Sequence, residues 1–293
     1  MGWEQQLAQY LVTGITTGAV YALIALGFTI IYNSTEIINF AQGEFVMLGG
    51  MLAVSVLSWL GVPLWLAVIL AIIFTIIIGL VFELLAIRPV RQPSVINLII
   101  ITIGGSILLK GLAMVIWGKD PHPLPAFSSQ GPFKILGASI TSQSLWVMGG
   151  TLIAVLGLEL FYKFTITGKA LRACAFNPRS AQLCGISVKR MVLFSFGLSA
   201  FLGAFAGVLV APITYTAYDI GTMLGLKGFC AAILGGLGSN LGAVVGGVLI
   251  GIAESLSAGY ISSGYKDAVA FLIMLLVLYL RPAGILGKKV EKV

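Results

Sequence analysis

Long apolar segments with almost no charged residues dominate the sequence. Nine such runs can be traced, at 7–32, 45–60, 63–87, 95–117, 145–164, 191–212, 222–237, 242–258 and 268–280. A helix that crosses a bilayer needs about 20 mostly apolar residues, and several of the runs reach that length. Because 59% of the chain is hydrophobic and only 9% is charged, a water-soluble fold could not bury so much apolar surface. The sequence therefore predicts an all-α, polytopic membrane protein with eight or nine transmembrane helices, forming a single domain over residues 1–293.

The basic residues predict how these helices are oriented. They cluster in three regions, which the positive-inside rule assigns to the cytoplasm. The weakly charged loop 118–143 is then external. The N-terminus is outside if all nine runs cross, and inside if the short run 45–60 is a broken or re-entrant helix. The three clusters are Arg88 and Arg91; Lys169, Arg172, Arg179, Lys189 and Arg190; and Arg281, Lys288, Lys289 and Lys292.

The second cluster lies in a segment that has its own helix signals. Segment 168–190 carries five of the 17 lysines and arginines. Asn177 followed by Pro178 is typical of an N-cap and a first helical residue, and Gly185 stands where a glycine ends a helix. The residues before Asn177 also favour a helix. We therefore predict a pair of short capped helices in a cytoplasmic loop at about 165–190.

A folded, basic loop on the cytoplasmic side needs a partner. One interpretation is a patch that attracts anionic lipid head groups. The other is a docking element that fits a protein groove. The caps and the small residues favour the protein groove. These small residues are Ala173, Ala175, Ser180 and Ala181.

Three polar residues interrupt the apolar pattern early in the chain, in the stretch INFAQGEFVMLGG. Asn39, Gln42 and Glu44 cluster between the first two apolar runs. Polar groups at membrane depth usually line cavities or pair, so the stretch is interpreted as a broken helix that faces a translocation path. The alternative is a tight turn between helices, with Asn39 as a cap and Glu44 at a helix N-terminus. Both interpretations stay open.

Glycine spacing predicts close contacts between helices. Many of the 37 glycines recur four residues apart, including Gly238, Gly242 and Gly246. Small residues at this spacing let two helix backbones approach closely. We expect this packing to occur mainly inside the subunit, with a subunit interface or a moving contact as the alternative.

Two isolated charges in the last third of the chain are expected to form a salt bridge. Lys227 and Glu254 lie in otherwise uncharged segments that run antiparallel on either side of a turn at Ser239. At about 1.5 Å of rise per residue, their depths differ by about 4 to 5 Å, which two long side chains can span. The alternative is that each side chain extends separately to the interface.

Several function classes lack the residues they need. His122 is the single histidine and has no cysteine nearby, so no metal site is predicted. The stretch GGLGSNLG lacks the Gly-Lys-Ser/Thr end of a phosphate loop. Basic residues in three separate loops fit membrane topology rather than nucleic-acid binding. No catalytic constellation is present, although Glu44 and Glu254 could serve as ion sites in a stand-alone secondary transporter.

The chain resembles a known family along nearly its whole length. The motifs INFAQGEFVMLG, RPVR, RACAFNPRSAQLCGI, AAILGGLGSNLGAVVGGVLIGIAES and RPAGILG resemble, in the same order, the LivH-type permease subunits of branched-chain (hydrophobic) amino acid ABC importers. The resemblance implies a non-catalytic subunit without cofactors in the bacterial inner membrane. Its expected partners are a second homologous permease, two cytosolic ATPases and a periplasmic binding protein.

The resemblance also assigns the cytoplasmic loop and leaves the cargo open. The loop resembles the segment that meets the ATPase, which implies docking by Arg172, Asn177, Pro178, Arg179, Ala181 and Gly185. Because the external binding protein selects the cargo in such importers, no tight substrate site is predicted at Asn39, Gln42 and Glu44. Urea and short-chain amide permeases are close relatives, so these cargoes remain alternatives to branched-chain amino acids.

Overall fold

The structure, a computed structural model, describes residues 3–90, 94–128, 131–135 and 137–287. Arg91, Lys288, Lys289 and Lys292, which were used for orientation, lie outside these ranges. The elements are α1 (Trp3–Thr35), α2 (Gln42–Leu60), α3 (Leu64–Phe82) with a π-helical turn (Glu83–Ile87), α4 (Val95–Trp117), β1 (Phe133–Ile135), β2 (Ala138–Ile140), α5 (Ser142–Phe164), α6 (Ile166–Phe176), α7 (Pro178–Leu183), α8 (Val188–Thr214), α9 (Ile220–Gly235), α10 (Asn240–Tyr260), a 3-10 turn (Ser263–Tyr265) and α11 (Lys266–Leu280). The two strands form an antiparallel hairpin.

The polytopic all-α fold predicted from the apolar runs is confirmed. In the described chain, eight helices are long and apolar enough to cross a membrane, and α9 is a shorter apolar helix. The helices differ in burial, so the bundle has central helices and outer, or rim, helices. In the most apolar stretch of α1, 89% of the residues are buried, whereas in α4 only 17% are. The rim helices expose large apolar side chains such as Ile107 and Leu276. Such exposure is expected where lipid, rather than water, is the solvent.

Glycines bring the central helices into backbone contact. A Cβ atom on Gly18 of α1 would lie 2.8 Å from the Gly247 oxygen of α10, too close for any side chain. Gly207 of α8 meets the backbone of Val46 in α2 in the same way. These contacts confirm that the glycine pattern packs helices within the chain.

The predicted glycine series 238–242–246 requires one correction. Gly242 and Gly246 do form a close contact, in which α10 lies against the backbone of Gly235 and Ala231 in α9. Gly238 is not on that face, because α10 begins only at Asn240. Gly238 belongs to the turn between α9 and α10, where its φ of 91° is a conformation that side-chain-bearing residues rarely adopt.

Hydrogen bonds fix the two ends of α1 on opposite sides of the bundle. The Gln9 side chain accepts from Ser139 N at 2.7 Å and donates to Ser139 O at 3.2 Å, which ties the start of α1 to the β-hairpin. Asn33 Nδ2 donates to Gly238 O at 3.2 Å near the end of α1. The start of α1 therefore shares a side with the β-hairpin in the loop between α4 and α5. If that loop is external, the N-terminus is outside, as expected when all nine runs cross.

The chain between α1 and α2 turns back into the bundle. Residues 36–41 are not helical, yet Ile37, Asn39 and Ala41 are buried. From Gln42, α2 runs as one continuous helix to the opposite side, where Ser55 Oγ accepts a hydrogen bond from Trp117 Nε1. The short run 45–60 is thus part of a full helix that follows a buried non-helical segment, and it is not re-entrant.

Candidate functional site

The non-helical segment 36–41, called here the chain break, is held by hydrogen bonds from its neighbours. Asn39 Oδ1 accepts from Ala41 N at 3.1 Å, which closes a turn within the segment. Phe40 N donates to Thr102 Oγ1 of α4 at 3.2 Å. Asn39 Nδ2 has no hydrogen-bond partner among the described residues. Irregular backbone inside a membrane bundle is tolerated only where protein or a cavity surrounds it, and this break meets that condition.

Gln42 connects the start of α2 to two central helices. Its Nε2 donates to Ser199 O of α8 at 3.1 Å. Ser199 Oγ contacts Gln42 Oε1 and also lies 2.9 Å from Gly27 O of α1. Gly27 leaves the space for this amide, because a Cβ there would collide with it. Gln42 therefore holds α1, α2 and α8 together.

Glu44 lines a small cavity between α2, α4 and α9. The cavity has a volume of about 260 Å³. Glu44 Oε1 accepts from Ser106 Oγ at 2.9 Å, whereas Glu44 Oε2 has no hydrogen-bond partner within the described ranges. Lys110 and Thr222 complete the polar wall, with Lys110 Nζ donating to Thr222 Oγ1 at 3.3 Å.

Two helices begin at this cavity and leave it in opposite directions. The first turn of α2 contains Gly43 and Glu44, and the first turn of α9 contains Gly221 and Thr222. The backbones touch here, because a Cβ on Gly43 would collide with Gly221. Discontinuous helices whose N-termini meet near the bilayer centre are a recurrent arrangement at transporter substrate sites.

The three polar residues predicted from the sequence thus occupy different places. Asn39 makes the tight turn, Gln42 ties helices together, and Glu44 faces the cavity. The broken-helix and tight-turn interpretations describe parts of the same feature, since the break is both buried and beside a cavity. A role in translocation remains a prediction for all three residues.

The loop between α5 and α8, which is predicted to be cytoplasmic, has the predicted helix pair. Thr165 Oγ1 accepts from Gly168 N at 2.9 Å and caps α6, and Asn177 Oδ1 accepts from Ser180 N at 3.0 Å and caps α7. Pro178 is the first residue of α7, and Gly185 follows the helix with a φ of 81°. The predicted cap, first residue and stop are therefore confirmed as local structure, because these residue types favour those positions.

The exposed surface of α6 and α7 is called here the docking face. Its residues are only partly those that were predicted to contact the ATPase. Asn177, Pro178, Arg179 and Gly185 are exposed. Ala181 is only 4% exposed, so its predicted contact with a partner is wrong; the residue packs inward. Arg172 is half-exposed and lies 3.7 Å from Glu159 of α5, over the ring of Tyr162.

Two apolar side chains on this face were not predicted. Phe176 is 94% exposed and Leu183 is 90% exposed, and each ends a short helix in the loop between α5 and α8. Large exposed apolar groups next to charged residues are a common mark of a protein interaction site. Helices of eleven and six residues are too short for hydrophobic periodicity to identify these two side chains as exposed.

Lys227 and Glu254 are in contact at the junction of α1, α9, α10 and α11. Lys227 Nζ lies 2.7 Å from Glu254 Oε1 and 2.6 Å from Asp267 Oδ1. Tyr21 Oη donates to Glu254 Oε2 at 2.7 Å. The first pair was predicted from the sequence, whereas Tyr21 and Asp267 were not, because their approach depends on how α1 and α11 pack against α9 and α10.

The fold and the cavity beside the chain break indicate a class of protein. A multi-pass apolar bundle with a polar cavity beside a chain break is typical of a membrane transport subunit. The sequence profile of the family described as "Branched-chain amino acid transport system / permease component" matches residues 10–278. The chain belongs to this family and is a permease component, the membrane part of an ABC importer rather than its catalytic part.

Curated relatives match over almost the full length. The chain is 39% identical to the high-affinity branched-chain amino acid transport system permease protein LivH of Salmonella typhimurium, over 97% of each chain. It is 38% identical to the high-affinity permease protein BraD of Pseudomonas aeruginosa, with the same coverage. A more distant relative, the ribose import permease protein RbsC of Haemophilus influenzae, is 26% identical over 88% of this chain and 80% of its own.

Proposed function

We propose that this chain is the permease subunit of an ATP-driven importer for branched-chain aliphatic amino acids, located in the inner membrane of a bacterium. The observation that carries the proposal is the similarity to LivH and BraD permeases over 97% of the chain. The cavity beside the chain break supports it, because an importer subunit must contribute to a path through the bilayer.

The proposed assembly contains the subunits that this chain needs in order to work. A second homologous permease supplies the other half of the path. Two cytosolic ATPases hydrolyse ATP, and a periplasmic binding protein delivers the amino acid. The docking face supports the ATPase contact, because Phe176 and Leu183 present apolar surface next to Arg179.

A continuous mechanical route leads from the docking face to the chain break. Thr165 is both the C-cap residue of α5 and the N-cap residue of α6. Movement of α6 is therefore transmitted to α5. On the other side, α7 is followed closely by α8, which carries Ser199. Ser199 holds Gln42 at the start of α2. A displacement of the helix pair would therefore move the two helices that flank it and, through Ser199, the wall of the cavity.

The rival function is a stand-alone secondary transporter that uses acids in the membrane as ion sites. Glu254 is poorly suited to this role, because Lys227 and Tyr21 already occupy both of its oxygens. Glu44 remains suited to it, so the two functions need an experiment that separates them.

Uptake by proteoliposomes distinguishes an ATP-driven importer from a secondary transporter. Vesicles should contain either this chain alone with a proton or sodium gradient, or the assembled permeases and ATPases with ATP and binding protein. We expect saturable leucine uptake only from the assembly and only with ATP. Gradient-driven uptake by the chain alone would contradict the proposal. Transport of urea or a short-chain amide in place of leucine would support the alternative cargo.

A further inference from the structure

The cavity at the start of α2 and α9 has opposite charges on one polar wall. Glu44 supplies a carboxylate, and Lys110 supplies an ammonium group beside Thr222. Glu44 is 1% exposed, and its free Oε2 is one acceptor that no described residue uses. A buried carboxylate oxygen without a donor is costly, so a ligand that brings a donor would be stabilised there.

The remaining walls of the cavity are apolar. Phe229 lies with its ring centroid 5.8 Å from that of Phe28 and 5.6 Å from that of Phe40, which forms an aromatic wall. Ile103 and Leu226 add aliphatic surface. Such a lining suits a branched hydrocarbon group and offers few partners to the several hydroxyls of a sugar.

The N-terminus of α9 adds to the charge pattern of the cavity. Thr222 is in the first turn of α9, where the positive end of the helix dipole favours an anion beside Lys110. The volume of about 260 Å³ is slightly below the range of drug-sized ligand pockets, about 300 to 1,000 Å³, so the ligand must be small.

We propose that this cavity is a transient binding subsite for the zwitterion of an aliphatic α-amino acid, with the ammonium group at Glu44 and the carboxylate at Lys110 and Thr222. The aliphatic side chain then lies against Phe40 and Phe229. The proposal rests on the proposed function, which it deepens by naming the residues that contact the cargo inside the membrane.

Direct binding to the purified assembly tests the subsite without the binding protein. Radiolabelled leucine should bind saturably to the permease–ATPase complex in nanodiscs, without nucleotide. Unlabelled leucine should displace it, whereas 4-methylpentanoate, which lacks the amine, and 3-methylbutylamine, which lacks the carboxylate, should not. Equal displacement by all three compounds, or no saturable binding, would overturn the proposal, and neither result depends on a variant that has to fold.

Matched variants assign the two charges. Glu44→Gln and Lys110→Met should each weaken leucine binding by about tenfold, the loss expected for a hydrogen bond to a charged group. Asp120→Asn and Lys119→Met, in the exposed loop after α4, should bind as the wild type does. Wild-type affinity in both cavity variants would contradict the subsite. If ATP-driven leucine uptake by the same preparation remained normal, the proposed function would still stand.

Discussion

At the residue scale, the contacts of Lys227 depend on the correct packing of several helices. It is almost fully buried between the carboxylates of Glu254 and Asp267, with the Tyr21 hydroxyl on the far oxygen of Glu254. Four helices that are separate in sequence meet at this one ammonium group. Removing it leaves the buried carboxylate of Glu254 without its cation and beside the partly exposed carboxylate of Asp267, which is unfavourable.

Substitution of Lys227 should therefore destabilise the protein strongly. We expect Lys227→Met to lower the free energy of unfolding in detergent by about 3 kcal/mol, the usual cost of leaving a buried charge unpaired. Glu254→Gln alone should also be destabilising. The exchange Lys227→Glu with Glu254→Lys should recover only part of the loss, since Asp267 remains beside the new carboxylate. A double-mutant cycle without coupling energy would contradict this account.

At the scale of elements, close packing of α9 and α10 depends on the absence of side chains. The backbone of Gly242 lies against that of Gly235, so any Cβ at position 242 meets a carbonyl group and not a flexible side chain. Gly104 in α4 offers a matched control, because a Cβ there would meet nothing within 4 Å.

Gly242→Leu should consequently separate α9 from α10. We expect loss of assembly, or a clearly lower midpoint of thermal unfolding in detergent, because two backbones must move apart. Gly104→Leu adds the same side chain where no atom lies within 4 Å of the new Cβ, and it should leave the midpoint near that of the wild type. Equal stability of the two variants would show that the α9–α10 contact does not hold these helices together.

At the scale of the whole molecule, the sequence predicted what depends on local chemistry and composition. Apolar runs gave the membrane fold, and Asn177, Pro178 and Gly185 gave the capped helix because each acts within a few residues. The cavity was not predictable, since Glu44 meets Lys110 and Thr222 only after α4 and α9 have packed against α2. The inward position of Ala181 was missed for the same reason: burial of one face in so short a helix depends on the helices around it.

We propose that ATP hydrolysis by the partner subunits drives this chain through its docking face. The most direct measurement follows ATP hydrolysed and leucine imported together, in proteoliposomes that contain the full assembly. Phe176→Ala with Leu183→Ala should abolish most leucine uptake and ATPase co-purification, while membrane insertion stays normal. Arg179→Glu, or Gly185→Val at its positive φ, should also uncouple transport. Phe164→Ala, an exposed apolar residue at the end of α5, is the matched control and should retain uptake. Wild-type uptake and co-purification in the docking-face variants would contradict the claim.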